Sequence, residues 1–425
     1  MRFDPYQFKH LNISGIPVIM KHIPWADSFV HVQLIFTVGA RHDPIGQEGL
    51  AHFFEHLPFN GCKGYPHFED IRRIGRKLFF ETLNASTSFE KTSYYGKIHC
   101  EHLEQALAFL RALVFTPNLD HHEIERERCV ISQEMWTRFN NSRHEQLEKT
   151  VRKRIYGPHT FGRSTWAFGW HSSLKRITPD ALRSFHMNNY HNGNVRLALA
   201  GNIQNKKVKR TIETVFCGIP TGTSLPETQQ LASRSGPQQH RLDISSREYF
   251  GLTSKNVPKT TEISLFRIAP NMSQATLHDI IETALWNLLF VRVRSALGAV
   301  YTPSVGVYRF RDHSRTSICL HVPPTKADLI EKIIHNTIRE LAEEDPTITD
   351  VIKESIQTCL GRREVVDTTI GKILENAVDE WVSIGSVTPL TQEVRELRTI
   401  TPSHLSQWFR DQMQPHQLST VIIRP

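Results

Sequence analysis

Apolar and polar residues alternate along Phe29–Val38, and a shorter apolar run covers Val18–His22. A period of two puts alternate side chains on opposite faces of an extended chain, so both segments are expected as β-strands. Leu83–Tyr95 alternates as well and is rich in β-branched residues, which predicts a further strand. The period changes at Glu101–Phe115. There Leu103, Ala106, Leu107, Leu110 and Val114 fall on one face at helical spacing, and Thr116-Pro117 stops the helix. Strands followed by helices, with few alternating β-α units, predict an α+β fold in which helices cover an antiparallel sheet.

The pattern then repeats. Ile177–Ile203 and Ile400–Pro425 both begin Ile-Thr-Pro-x-x-Leu, continue through an amphipathic stretch and a polar turn, and end in an apolar strand (Val195–Ala200 and Leu418–Ile423). In each, Thr caps the first N–H groups of a helix and Pro takes its first position. Two related halves are therefore expected. Between them Thr221–His240 is rich in Gly, Pro, Ser and Gln, the composition of a linker. The expected division is a first domain over 1–220, a linker over 221–240 and a second domain over 241–425, consistent with a length of 425 residues.

With 39% hydrophobic and 22% charged residues, the composition is that of a globular protein. No stretch approaches the roughly 18 apolar residues of a membrane-spanning helix, and the N-terminus does not read as a signal or transit sequence. Six separated cysteines form no C-x-x-C pair and are expected reduced and packed, which suggests a cytoplasmic setting. The net charge of +8 raises the question of nucleic acid. Its two basic clusters (Arg72, Arg73, Arg76, Lys77 and Lys206, Lys207, Lys209, Arg210) are short and lack interleaved aromatics. They are expected as solvated faces, with no nucleic-acid partner.

The chemistry is concentrated in GLAHFFEHLPFNG, residues 49–61. On a helix His52 and His56 stand one turn apart on one face, the spacing two histidines need to share a zinc ion. Glu55 lies between them, placed to reach metal-bound water. This H-x-x-E-H order reverses the commoner H-E-x-x-H and keeps the carboxylate beside the histidines. A surface helix of ordinary polar residues can carry the same five residues, and zinc needs a third protein ligand. Pro58 is expected to end or kink the helix just after His56.

Four ordered stretches resemble the pitrilysin family of inverted-motif (inverzincin) zinc metallopeptidases: residues 38–61 around the motif, LNASTSFEKTSYY from Leu83, ERCVISQE from Glu127 and RSALGAVY from Arg294. The likeness is to the short two-domain members similar to mitochondrial processing peptidase and its bacterial relatives. The resemblance implies one zinc ion per chain, with Glu134 as third ligand to His52 and His56. Glu127, seven residues earlier and so on the same helix face, would be a supporting carboxylate of the catalytic set. It implies that Asn84 and Ala85 on an edge strand bind substrate main chain. Arg294 would hold substrate, and Tyr301 would both contact it and stabilise the oxyanion. Two related domains, each an antiparallel sheet covered by helices, would enclose a chamber. Departures from the family pattern are the 77 residues between His56 and Glu134, slightly more than usual, and Phe79-Phe80 where relatives often have small residues.

The implied activity is endopeptidase hydrolysis of extended peptides or unfolded segments, with Glu55 as general base. The alternative is a non-catalytic scaffold or partner subunit of the same fold. Such members lose residues of the metal set, whereas all four are present here. Peptides are the expected partners, with no membrane, and the chain would act as a homodimer or as a monomer closing on itself.

Overall fold

In a computed structural model, which describes residues 3–80, 83–139, 142–157, 159–163, 167–225, 240–245, 260–270, 275–298, 302–364 and 369–425, the apolar runs of the first half become the middle of a six-stranded sheet. Its strands are β1 (Lys9–Ile13), β2 (Ile16–His22), β3 (Phe29–Phe36), β4 (Asn84–Thr87), β5 (Thr92–His99) and β6 (Val195–Gly201), in the order β1-β2-β6-β3-β5-β4. The pairing is antiparallel except between β2 and β6, which run parallel. The sheet is thus mixed where a purely antiparallel one was expected. The segment Leu83–Tyr95 is two strands rather than one. A turn closed by the Ser88 N–H donating to the Lys91 carbonyl (2.8 Å) joins β4 to β5 and leaves β4 at the sheet edge.

Helices α1 (Leu50–His56), α2 (Phe68–Leu78), α3 (Leu103–Phe115), α4 (His121–Phe139), α5 (Ser142–Tyr156), α6 (His171–Leu174), α7 (Pro179–Asn189) and α8 (Asn205–Val215) complete the first half. Val30, Val32, Leu34 and Phe36 of β3 pack with Phe53 and Phe54 of α1 and with Leu107 and Leu110 of α3 in one buried core.

The second half contains β7 (His240–Ser245), β8 (Thr261–Pro270), α9 (Ala275–Leu297), β9 (Ser304–Arg309), β10 (His313–Val322), α10 (Ala327–Leu341), α11 (Pro346–Glu364), α12 (Ile370–Ile384), α13 (Leu390–Thr399), α14 (Pro402–Gln412) and β11 (Leu418–Arg424). Its sheet has the order β7-β11-β8-β10-β9, again with one parallel pair, β7 with β11. Read against β2-β6-β3-β5-β4 of the first half, each strand has a counterpart. The two helix starts behind the sequence repeat are also real. Thr178 Oγ1 accepts from the Ala181 N–H at 3.1 Å, and Thr401 Oγ1 from the His404 N–H at 3.3 Å.

Compact units do not follow the expected division. Residues 1–152, 158–227 and 368–389 group into one unit; residues 153–157, 228–367 and 390–425 group into the other. Helix α12, assigned by sequence to the second domain, belongs to the first unit. Its Ile373, Leu374, Ala377, Val378 and Trp381 cluster with Ile19, Ile35, Ala198 and Ala200, the strand residues that point away from the α1–α3 core. Burial on both faces explains why these strands read as almost continuous apolar runs. Of the expected linker, residues 221–225 are described and carry neither helix nor strand, residues 226–239 lie outside the described residues, and His240 opens β7. Among the described residues no helix is long and apolar enough to cross a membrane.

Candidate metal centre

Helix α1 starts under tight control. Gly49 has φ +99°, and a Cβ there would sit 2.5 Å from the Phe168 carbonyl oxygen, so the position demands glycine. The Asp43 carboxylate accepts from the N–H groups of Gly49 (2.6 Å) and Ala51 (2.9 Å), partnering donors that a helix start otherwise leaves unpaired. Complete burial still pushes the Asp43 pKa up to about 8 against these bonds. At the other end Pro58 opens a 3-10 turn, Leu57–Asn60, and α1 stops at His56 as expected.

Between these ends the imidazoles of His52 and His56 approach to 3.3 Å, Nε2 to Nε2. Glu134, brought in by α4, places Oε2 at 3.8 Å from each. Tetrahedral ligands about 2.0–2.1 Å from a zinc ion stand roughly 3.4 Å apart, so the three atoms fit such an ion with small adjustment. Among the described residues this is the one group of three metal-ligating side chains.

The two histidines are shifted in opposite directions. Burial, then the neighbouring His56, push the His52 pKa down to about 3, which leaves a neutral imidazole. At His56 burial opposes protonation, but the bond to Glu127 and the nearby carboxylates outweigh it and raise the pKa. His56 Nδ1 lies 2.8 Å from Glu127 Oε1, which fixes the ring and leaves Nε2 facing Glu134. Glu127 is held in turn by Asn60 Nδ2 (3.2 Å), and Asn60 by Arg126 (2.9 Å). Burial works to raise the Glu127 pKa, yet these hydrogen bonds and His56 bring it below the ordinary value. Glu55 is buried, which raises its pKa, and its Oε2 has no hydrogen-bond partner.

A cavity of about 1290 Å³ opens on these groups. Asn84 and Ala85 of the edge strand line it together with His52, Glu55, His56 and Glu134. The structure therefore gathers seven of the nine sequence-predicted site residues around one space. Arg294 stands exposed on α9 with its guanidinium 5.8 Å from the Phe290 ring, and Tyr301 lies outside the described residues. Sequence reasoning passed over Asp43, Asn60 and Phe168. Asn60 had a signal, being a lone polar residue that closes an apolar run; Asp43 and Phe168 had none that spacing reveals.

Six cysteines were expected packed. Cys62 and Cys359 are buried, Cys129 and Cys217 are exposed, and none forms a disulfide. Of the two basic clusters, Lys206, Lys207, Lys209 and Arg210 do form an exposed face of α8. Arg72, Arg73, Arg76 and Lys77 are exposed on α2 as well, and Arg72 and Arg76 also line the cavity.

Residues 18–167 match the family model described as Insulinase (Peptidase family M16), and residues 176–355 match the one described as Peptidase M16 inactive domain. The chain is similar to an uncharacterized zinc protease of Rickettsia bellii, 25% identical over 348 residues that cover 78% of this chain and 77% of the relative. It is similar over a longer span to the uncharacterized zinc protease YmxG of Bacillus subtilis, 23% identical over 91% of each chain. Mitochondrial-processing peptidase subunit beta of Saccharomyces cerevisiae is 28% identical over 50% of this chain and 44% of its own. Among solved structures, a peptidase M16 inactive domain from Pseudomonas fluorescens shares the fold with a TM-score of 0.84 at 16% identity, covering 99% of this chain and 98% of that one.

Proposed function

The chain belongs to peptidase family M16, and we propose that it is a zinc-dependent endopeptidase acting on extended peptides or unfolded segments. One observation carries the reading: a buried carboxylate oxygen without a hydrogen-bond partner, on Glu55, stands on the helix that carries His52 and His56, which with Glu134 present three ligand atoms spaced for zinc. His52, His56 and Glu134 would hold one ion and leave a fourth position open. When bound, the ion supplies Lewis acidity toward water and the scissile carbonyl.

The chain's own residues do the rest. Glu55, with its raised pKa, takes the proton from water as the oxygen adds to the carbonyl carbon. It returns that proton to the nitrogen as the C–N bond breaks. Glu127 keeps His56 oriented through the 2.8 Å contact at Nδ1. Main-chain groups of Asn84 and Ala85, at the open edge of the sheet, pair with an extended substrate as an added strand. Such pairing demands an unfolded segment and little sequence. The scaffold alternative is weaker, because the family description as inactive falls on residues 176–355, whereas His52, Glu55, His56 and Glu134 all lie before them. The proposal includes a cytoplasmic location, supported by six cysteines without a disulfide.

The test is hydrolysis of a mixed peptide library, with cut sites mapped by mass spectrometry. Cleavage should vanish on chelation and return on adding one equivalent of zinc. Protein that holds one zinc ion per chain and cuts no peptide would overturn the reading.

A further inference from the structure

We infer that Arg72 and Arg76 form a subsite for an acidic side chain, so that preferred substrates carry a glutamate or aspartate close to the cleaved bond. This rests on the hydrolytic reading above and adds to it the class of peptide.

Helix α2 turns Ile71 and Leu78 into the core. Arg72 and Arg76 stand one helical turn apart and both line the cavity that contains Glu55 and the candidate ligands, whereas their neighbours Arg73 and Lys77 do not. Neither arginine has its charge committed. Arg72 meets Glu69 at 3.9 Å, with half of the arginine side chain and three quarters of the glutamate exposed, a weak pair screened by solvent. Arg76 has no ion-pair partner among the described residues. Of the carboxylates lining the cavity, Glu127 binds His56 and Asn60, and Glu134 faces the two histidines.

Aromatic rings also line the cavity beside the pair. Phe68 lies under the Arg72 guanidinium, 5.7 Å from ring centroid to Cζ, and Phe79 and Phe80 line the same cavity. Rings of this kind offer an incoming side chain apolar contact beside the guanidinium. They also receive a bulky apolar side chain next to the acidic one. A guanidinium offers paired N–H donors that match the two oxygens of a carboxylate, so glutamate and aspartate fit better than any neutral residue. A lysine-bearing substrate meets two like charges instead.

Quenched-fluorescent peptides of one sequence, differing only in Glu, Gln or Lys at each position flanking the cut, test this. The wild-type protein should favour the best-placed Glu peptide over its Gln twin by about fivefold in kcat/KM, with the Lys peptide slowest. In the double variant Arg72→Glu/Arg76→Glu the order should invert, while the melting temperature stays near wild type. An unchanged order in that variant overturns the inference. The same labelled peptides, bound to Glu55→Gln protein and followed by fluorescence anisotropy, separate this from failure of the hydrolytic reading. Equal affinity for Glu and Lys peptides there overturns the subsite alone, whereas a Glu preference without any wild-type cleavage sinks only the hydrolysis.

Discussion

The two halves share a strand order and differ in what joins their second and third counterpart strands. In the first half β3 leads through Asp43, Gly49 and the seven-residue α1 into α2 before reaching β4. In the second, β8 leads into α9, a single helix of 23 residues whose Ile280, Ile281, Ala284, Leu285, Leu289 and Val293 are all buried. Helices α4 and α11 differ in the same sense. Both have 19 residues, and counting from each start Glu127 and Glu134 fall where α11 has the buried Ile352 and Cys359. The same scaffold thus spends these positions on polar groups in one half and on packing in the other. A fold of this kind does not itself carry chemistry; a short, interrupted helix with a carboxylate helix beside it does.

The largest expected effect lies in the first half alone. Glu55→Gln should lower peptide hydrolysis by about a hundred- to ten-thousandfold, the usual worth of a general base, with zinc content unchanged. Steady-state rates beside metal analysis decide it, and metal lost together with activity would mean that Glu55 is a ligand.

The second half should instead register its buried histidine as stability. Burial, then Arg309, push the His278 pKa down to about 4, and neither ring nitrogen has a hydrogen-bond partner. The unfolded chain binds this proton near pH 6.5 while the folded chain does not until about 4. Stability should therefore rise with pH across that window and fall by up to roughly 3 kcal/mol on acidification through it. Urea midpoints of wild type and His278→Leu from pH 4.5 to 7 test this; equal slopes would give His278 no such role. His186 of the first half, stacked on Phe54, has a pKa lowered in the same direction and should be retained in both proteins as a constant background.

Glu127→Gln keeps the side chain's shape and removes the charge that fixes His56. Zinc affinity should drop about ten- to a hundredfold in a competition titration with a chelator. The matching change in the second half, Ile352→Val, should leave that affinity alone. The smallest effects test the likeness of the halves rather than their difference. Thr178→Ala and Thr401→Ala each remove one capping oxygen and should each cost about 1 kcal/mol. Thermal denaturation showing a loss at one cap and none at the other would break the symmetry.

How much of this was legible beforehand follows from the range of the interactions. The strands Val18–His22, Phe29–Val38 and Val195–Ala200, the α3 face and both Thr-Pro caps are set by neighbours close in sequence, and they fold as their patterns predict. His52, Glu55 and His56 belong to one helix and needed only its period. Glu134 needed the family likeness, because nothing in 77 intervening residues reports its distance from His56. The parallel β2–β6 pairing, the hairpin inside Leu83–Tyr95 and the placement of α12 depend on contacts that no local period encodes. Arg72 and Arg76 read as solvent-facing because exposure to a cavity and exposure to bulk water leave the same mark on a helix.

Helix α12 also has a consequence for how the chain matures. A ribosome delivers the six strands of the first sheet, through Gly201, long before it delivers Ile370–Ile384. Until then Ile19, Ile35, Ala198 and Ala200 have no cover on their side of the sheet. The emerging first half should therefore present a sticky apolar face during translation and call on holding chaperones. Its native state is reached only once Ile370–Ile384 has been delivered.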